Sequence, residues 1–254
     1  MNEKELLKVW KDEEQKPFSG WDFSYLNGKM EIEPLPWSYK TRARELMERC
    51  SSLLDMGTGG GELLLEMKAN WPKKVIATED YPPNIKLATE RLEPSGVQVV
   101  DIPLSTNQSM PFRDNEFGLI LNCHAGFNPW ETSRILAPGG IFFTQQVHGL
   151  STYDLTSFFN EIPPYTEATP EFYIPRLKAA GLTIHDFKEW SGNMTFSDVG
   201  ALVYYLKAIP WVVPGFSVVN HFQYLLKLER QVKEGNPLSF TARRYLIEAC
   251  KQSA

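Results

Sequence analysis

Four glycines fall within residues 57–61, directly after the mostly apolar run 53–56. A residue without a side chain lets the backbone approach a ligand closely, so this spacing indicates a ligand-binding loop. A plain turn between a strand and a helix needs only one or two glycines. The candidate ligands are a nucleotide phosphate, a dinucleotide or another adenosyl-containing molecule, and the flanking residues discriminate among them.

The residues after the glycines disfavour the first two ligands. A Walker-type phosphate loop requires a lysine followed by serine or threonine, but Glu62 and Leu63 occupy those places and the next lysine is Lys68. The dinucleotide pattern G-x-G-x-x-G requires a third glycine where Glu62 stands, and a carboxylate at the start of a helix repels a pyrophosphate. The sequence therefore favours an adenosyl ligand without phosphate.

An acid and three alternating glycines, Asp55, Gly57, Gly59 and Gly61, form the pattern acidic-x-G-x-G-x-G. This pattern resembles motif I of the Rossmann-like (class I) S-adenosylmethionine-dependent methyltransferases, and the chain is similar to an uncharacterised bacterial subgroup of that family. S-adenosylmethionine carries a sulfonium cation and no phosphate. The resemblance implies that this molecule is the cofactor and that Asp55 supplies a nearby anion.

A second acid, Glu79, ends the next predicted strand at a spacing from Asp55 close to that expected for the residue that binds the ribose. A carboxylate there can accept two hydrogen bonds from a ribose diol. Asp80 is the alternative acid, and an exposed acid that caps the following helix is the purely structural alternative. The family pattern, counted from the proline of the next turn, favours Glu79.

The segment 110–147 carries the third part of the resemblance. It contains "MPF", the strand "FGLILNC", a helix ending "RILAPGG" and the strand "IFFTQQV", with Gly118 where the family usually has aspartate. The resemblance is strong over residues 50–150. Besides the motif residues, it implies cofactor contacts by Thr58, Tyr81 near the adenine, Asn107 at the adenine amino group and Asn122 at the methionine end.

His124, which follows the fourth predicted strand, is the candidate catalytic base. A histidine that only orders this loop is an equal alternative, because methyl transfer depends largely on placing the nucleophile and needs a base only for a poor one. Gln145 and Gln146 form a polar pair in a strand predicted to be buried. At least one of these amides must therefore have a hydrogen-bond partner or face a polar cavity.

The acceptor is expected to be a small molecule. The formal net charge is −5, and the sequence "NCHAGF" after the fourth strand lacks the N-P-P-aromatic motif of amino-directed nucleic-acid methyltransferases. Cys123 also lacks the preceding proline typical of a cytosine-attacking thiol. RNA is the alternative acceptor and would require a basic patch; a non-enzymatic adenosyl-binding protein is the other alternative. The patch residues would be Arg42, Arg44, Arg243 and Arg244.

Strands and helices alternate along the chain and predict a parallel sheet covered on both faces. The predicted strands are 52–56, 74–78, 97–100, 117–123, 141–147, 182–190 and 238–250. With the resemblance, this indicates an α/β, Rossmann-like three-layer α/β/α sandwich, whose mainly parallel seven-stranded sheet has an antiparallel last strand.

Two regions are expected to flank the sheet. Residues 1–49 form an N-terminal part with helices at 3–15 and 38–50, joined by an aromatic-rich loop that wraps the methyltransferase domain, 50–254. Residues 191–237 form a helical cap, with packing helices remote from any ligand as the alternative. The aromatics that could line a lid are Trp21, Phe23, Trp37, Tyr39, Tyr204, Tyr205, Trp211 and Phe216, although Tyr204, Tyr205 and Trp211 are better explained as core.

The cysteines, the charged first residues and the interrupted apolar stretch indicate the cellular compartment. The three cysteines are odd in number and far apart, so neither a disulfide framework nor a zinc site fits, and no metal is expected. Residues 1–16 are charged throughout, unlike a secretory signal, and Lys207 and Pro210 interrupt the most apolar late stretch. We therefore expect a cytoplasmic protein with no membrane partner.

Overall fold

The computed structural model describes residues 1–102 and 109–253, and the chain forms two compact units within it. The unit that we call the sheet unit comprises Leu35–Val147, Ala168–Glu189 and Arg244–Ala254. The other, the helical unit, comprises Met1–Pro34, His148–Glu167 and Trp190–Arg243. The sequence-based division at residue 49 and the cap at 191–237 stay proposals.

The regular elements follow the predicted order closely. Among the described residues, the strands are β1 (Met30–Ile32), β2 (Ser52–Met56), β3 (Lys74–Glu79), β4 (Gln98–Asp101), β5 (Phe117–Cys123), β6 (Leu136–Val147), β7 (Leu182–Phe196) and β8 (Leu238–Lys251). The α-helices are α1 (Glu3–Glu14), α2 (Tyr39–Met47), α3 (Glu62–Leu65), α4 (Pro82–Leu92), α5 (Pro129–Ile135), α6 (Tyr153–Phe158), α7 (Pro170–Ala179), α8 (Val199–Ala208) and α9 (Phe222–Lys233).

The strands form one mainly parallel sheet in the order β1-β7-β8-β6-β5-β2-β3-β4. The pairs β2–β3, β2–β5, β3–β4 and β5–β6 are parallel, whereas the last strand, β8, runs antiparallel to β6. The parallel strands β2 and β5 pair so that Asp55 is opposite Leu121 and Met56 is opposite Asn122. This architecture confirms the predicted Rossmann-like α/β fold and brings the strand ends that carry the motifs to one edge.

Side-chain alternation along the strands gives the sheet unit two apolar faces and explains its three layers. Leu53, Leu119 and Phe143 pack with α2, α3 and α4 on one face. Leu54, Ile120 and Phe142 pack with α5 and α7 on the other face. Helices cover both faces because a parallel sheet carries apolar side chains on each of them.

Three elements differ from the sequence predictions. The aromatic loop contains a short strand, β1, which pairs with the end of β7, and β7 extends to Phe196 rather than ending at residue 190. Residues 191–196 are therefore strand and not part of a helical insertion. The turn "APGG" lies within β6, beside a register shift between Phe117 and Leu119 of β5, and so does not simply end a helix. Such irregularities depend on the paired strand, which local sequence does not reveal.

The helical unit has its own core. Nine of the ten residues of α8 are buried, and they cluster with Leu6 and Trp10 of α1. Tyr204 and Tyr205 belong to this core, as expected for them, whereas Trp211 is 37% exposed. Within the described part of the chain, no helix combines the length and apolarity needed to cross a bilayer.

Candidate functional site

The glycine loop joins β2 to α3 and is tied to the end of β3. The backbone N–H groups of Gly57 and Thr58 donate to the carbonyl oxygen of Thr78 at 3.0 and 2.9 Å. The glycines of the motif have positive φ angles, +73° at Gly57, +62° at Gly59 and +82° at Gly61. Since side-chain-bearing residues rarely adopt this conformation, the backbone explains why the motif alternates glycines.

Packing against α4 is a second reason why position 61 requires glycine. A Cβ atom added there would lie 2.8 Å from Cγ of Leu92 in α4, so a side chain would separate α3 from α4. Glu62, the next residue, pairs with Arg91 of α4. Arg91 therefore compensates the charge of Glu62, so Glu62 would repel a pyrophosphate less than the sequence indicated. Glu62 nevertheless occupies the position where the dinucleotide pattern requires its third glycine.

Glu79 organises the loop. Its side chain is buried, and its carboxylate accepts hydrogen bonds from the backbone N–H of Gly59 at 2.7 Å and from those of Asp80 and Tyr81 at 3.1 Å. Burial raises the pKa of Glu79, and these backbone hydrogen bonds oppose that shift. Of the neighbouring predicted contacts, Asp80 is exposed and Tyr81 is 57% exposed.

Asp55 is the second buried carboxylate. Burial raises its pKa to about 6, and the charge of Glu79 adds to the shift. Within the described residues, no basic side chain forms a salt bridge with Asp55 or Glu79. Asp55 and Glu79 thus form an anionic site that a positively charged ligand would complement.

We expect Asp55→Asn to stabilise the free protein near pH 8. Because the folded-state pKa is raised, the folded protein holds this proton more tightly than the unfolded chain does, and stability decreases as pH rises from about 4 through about 6. Removing the buried charge should raise the unfolding free energy by about 1–3 kcal/mol near pH 8. Urea unfolding measures this effect, and the gain should largely vanish near about pH 3, where Asp55 is mostly protonated in both states.

The control for this prediction is Glu66→Gln. Glu66 pairs with Lys40 at the surface, and that lysine lowers its pKa, so neutralising it should give no gain near pH 8. A gain for Asp55→Asn that is the same at both pH values would contradict the assignment of a buried, destabilising charge.

Asn122 lies inside the sheet rather than beside an open space. Its side chain is fully buried, its amide N–H donates to the carbonyl oxygen of Met56 at 3.1 Å, and its Oδ1 accepts from Thr144 and Gln146. Gln146 also donates to the carbonyl oxygen of Ala125 at 2.9 Å. This network joins the ends of β2, β5 and β6, so Asn122 positions the backbone there.

His124 lies directly after β5 and contacts Gln145. Its Nε2 is 3.2 Å from Nε2 of Gln145, and Oε1 of Gln145 accepts a 2.8 Å hydrogen bond from Nε1 of Trp37. The side chain of His124 is exposed, and partial desolvation together with the charge of Arg244 lowers its pKa. Both amides of the predicted polar pair are hydrogen-bonded, and the role of His124 as a base stays a prediction.

Tyr39 and Arg244 reach this region without being singled out as site residues by the motifs. The Tyr39 ring stacks on Phe143 with centroids 4.8 Å apart, and burial raises the pKa of its hydroxyl, which also senses the charges of Cys123 and Asp55. Their signal in sequence was weak, because Tyr39 was one aromatic among many and Arg244 one arginine of a hypothetical patch. Asn107 lies outside the described residues.

A groove of about 600 Å³ opens on the same unit. It is lined by Trp37, by residues of α2 including Arg42 and Glu45, and by parts of β7 and β8 including Lys188 and Glu248. Trp37 lines this groove and also donates a hydrogen bond to the side chain of Gln145, which in turn contacts His124. Among the described residues, no group of three or more histidine, cysteine, aspartate or glutamate side chains is placed to hold a metal ion.

Comparison with known proteins finds a matching domain model for one segment of the chain. Residues 54–144 match a family model described as a methyltransferase domain, and this segment holds the glycine loop, Asp55, Glu79 and His124. The match covers residues 54–144, and the solved structures described next share the Rossmann-like α/β fold of the chain. No curated protein sequence matches the chain.

Three solved structures share the fold. The chain is 18% identical to a candidate methyltransferase from Bacillus halodurans C-125, with a TM-score of 0.60 over 84% of this chain and 97% of that one. It is 15% identical to the [4+2]-cyclase SpnF, with a TM-score of 0.52 over 84% of this chain and 82% of that one. It is 14% identical to geranyl diphosphate methyltransferase in complex with S-adenosylmethionine, with a TM-score of 0.50 over 84% and 85% of the two chains.

The residues present fit S-adenosylmethionine. The loop offers glycine backbone in place of side chains, and Asp55 and Glu79 are buried acids without a basic partner in the described part of the chain. These two carboxylates and the loop would hold the ligand, whose sulfonium would supply an electrophilic methyl group. No lysine follows the glycines to hold a phosphate.

Proposed function

We propose that this protein transfers a methyl group from S-adenosylmethionine to a small-molecule acceptor. The observation that carries the proposal is the 2.7 Å hydrogen bond from the backbone N–H of Gly59 to the buried carboxylate of Glu79, which joins the glycine loop to the end of β3. In this proposal Glu79 binds the ribose diol, Asp55 lies towards the cationic end, and Thr58, Asp80 and Tyr81 border the cofactor. Asn122 orders the strand ends.

The groove supports a small acceptor. Its volume lies within the range of roughly 300–1,000 Å³ typical of small-molecule pockets. Its lining combines both signs of charge, and Arg42 is held by Glu248 through two hydrogen bonds of 2.8 Å and by Glu45. A polyanion would instead need a continuous basic surface.

RNA is the weaker alternative. It requires a basic patch of Arg42, Arg44, Arg243 and Arg244. Of these, Arg42 is compensated by two glutamates, and Arg44 donates to the backbone carbonyl oxygen of Glu66. A non-enzymatic adenosyl-binding protein is the other alternative, and the open groove beside Trp37 argues for an acceptor. The three free cysteines accord with the proposed cytoplasmic location.

The test is incubation of the protein with S-adenosylmethionine labelled on its methyl group, in parallel with a metabolite extract and with total RNA. We expect the label in a small molecule that mass spectrometry can identify, together with release of S-adenosylhomocysteine. Label in RNA alone would favour the alternative acceptor. Cofactor binding without any label transfer from either mixture would favour the non-enzymatic protein.

A further inference from the structure

The start of α2 holds Tyr39 against the sheet. Ser38 caps this helix, since its Oγ accepts a hydrogen bond from the backbone N–H of Thr41 at 3.2 Å, and Tyr39 is the first helical residue. The Tyr39 ring stacks on Phe143 of β6, with centroids 4.8 Å apart and an angle of 9° between the rings. Because Tyr39 is only 6% exposed, packing keeps its ring in this place.

Strand pairing places this ring near Asp55. Phe143 is opposite Leu121 of β5, and Leu121 is opposite Asp55 of β2, so these three residues form one row across the sheet. Their side chains share a face, and neighbouring strands are about 4.8 Å apart. Tyr39, Leu121 and Phe143 also belong to one buried cluster. The ring of Tyr39 therefore lies over a row that ends at Asp55.

The groups around the Tyr39 hydroxyl lie where β2 and β5 end. Burial raises the pKa of this hydroxyl most, and the charges of Cys123 and Asp55 raise it further. Such effects weaken with distance, so the phenol oxygen lies near both side chains. The backbone of Asn122 is also close to this oxygen, without reaching hydrogen-bond geometry. The hydroxyl thus faces the strand ends beside the glycine loop.

The Tyr39 hydroxyl is buried and has no hydrogen-bond partner in the described part of the chain. The hydroxyl of Thr58, in the glycine loop, is in the same condition. A buried polar group without a partner costs stability, and native proteins satisfy nearly all such groups. Cys123 is half-buried and Asp55 is 9% exposed, so solvent reaches the side chains next to the Tyr39 hydroxyl. A ligand that enters there can supply the missing partner.

We propose that the hydroxyl of Tyr39, together with Asp55, binds the ammonium group at the methionine end of S-adenosylmethionine. The phenol oxygen accepts one hydrogen bond from this ammonium, and the Asp55 carboxylate accepts another. Of the two charged groups at the methionine end, the ammonium suits this place, because Asp55 attracts a cation and repels a carboxylate. The inference rests on the proposed function, since it adds a residue from outside the glycine motif to the same cofactor site.

A hydroxyl that serves a ligand differs measurably from one that serves the fold. Removing it leaves the free protein at least as stable, because its burial without a partner is unfavourable. Tyr25 is the matched structural case. Its hydroxyl donates to Glu13 at 2.8 Å and accepts from Lys29 at 2.9 Å, so Tyr25→Phe should lower the midpoint of urea unfolding. We expect Tyr39→Phe to leave this midpoint unchanged or to raise it.

The binding experiment is calorimetric titration of the wild type, Tyr39→Phe and Tyr25→Phe with three probes. S-adenosylhomocysteine carries the ammonium and the carboxylate, decarboxylated S-adenosylmethionine carries the ammonium alone, and 5′-methylthioadenosine carries neither. We expect Tyr39→Phe to weaken binding of the first two by about 10-fold or more, the scale of a hydrogen bond to a charged group. Its affinity for 5′-methylthioadenosine should change by less than about 2-fold, and Tyr25→Phe should bind all three as the wild type does.

Four results would overturn the inference. They are unchanged binding of S-adenosylhomocysteine by Tyr39→Phe, an equal loss for all three probes, a loss for S-adenosylhomocysteine that spares the decarboxylated probe, and a lowered urea midpoint for Tyr39→Phe. The third result would assign the hydroxyl to the carboxylate instead. A wild type that binds none of the probes would overturn the proposed function itself, whereas the urea measurement needs no ligand and still reports whether the hydroxyl serves the fold.

Discussion

Glu79→Gln is expected to weaken S-adenosylhomocysteine binding by about 100-fold, the scale of about 3 kcal/mol for losing hydrogen bonds to a charged group. The two oxygens of Glu79 already face backbone donors, Gly59 on one side and Asp80 and Tyr81 on the other. A glutamine must turn its NH₂ group towards one of these N–H groups. The substitution therefore removes the ribose acceptor and also loosens the glycine loop, which isothermal titration calorimetry measures as a loss of affinity.

Asp80→Asn is the matched control, because it removes one carboxylate from the adjacent, exposed position. We expect it to change the affinity by less than about 3-fold, within the range of surface charge effects. A larger loss for Asp80→Asn than for Glu79→Gln would transfer the ribose contact to Asp80 and contradict the present assignment.

Gly61→Ala is expected to lower the free energy of unfolding by about 3 kcal/mol or more. Its φ of +82° is unfavourable for alanine by about 1–2 kcal/mol, and the new Cβ would lie 2.8 Å from Cγ of Leu92. Overpacking of this kind adds about 1–3 kcal/mol, because α3 and α4 must separate. Urea unfolding monitored by circular dichroism measures the loss.

The substitution Gly96→Ala distinguishes backbone strain from overpacking as the cause of the lost stability. Gly96 has a similar φ of +86°, but a Cβ there would meet no atom within 4 Å, so only the backbone strain of about 1–2 kcal/mol should remain. Equal losses at the two glycines would contradict the role of Gly61 in packing α3 against α4. S-adenosylhomocysteine binding should fall in Gly61→Ala and persist in Gly96→Ala.

Much of the fold could be predicted because its signals are local. β5 spans Phe117–Cys123, and β2 spans Ser52–Met56, as their apolar runs predicted. The glycine motif was also local, since its alternation follows directly from the left-handed φ angles of one loop. The position of Glu79 beside the loop could be predicted because the acid and the loop lie at the ends of adjacent parallel strands.

The parts that were missed depend on residues distant in the chain. β1 becomes a strand only because Met30–Ile32 meets residues 194–196 of β7. Trp37 and Gln145, which are hydrogen-bonded to each other, are 108 positions apart, and a one-residue change in register would separate them. The position of His124 after a strand could be read from the sequence, whereas its contact with the amide of Gln145 could not.

The fold does not by itself specify the chemistry, as the resemblance to both a methyltransferase and a [4+2]-cyclase illustrates. In this chain the charges of the candidate site indicate which ligand it would bind. Asp55 and Glu79 form an anionic site at the glycine loop. This preference for a cation is what the proposed sulfonium ligand would meet.

The most direct test of the central claim is calorimetric titration of the wild-type protein with S-adenosylmethionine and, under the same conditions, with NAD and ATP. The account predicts saturable binding of S-adenosylmethionine at one site per chain and no binding of the two phosphate-bearing ligands. Binding of NAD or ATP without binding of S-adenosylmethionine would contradict it.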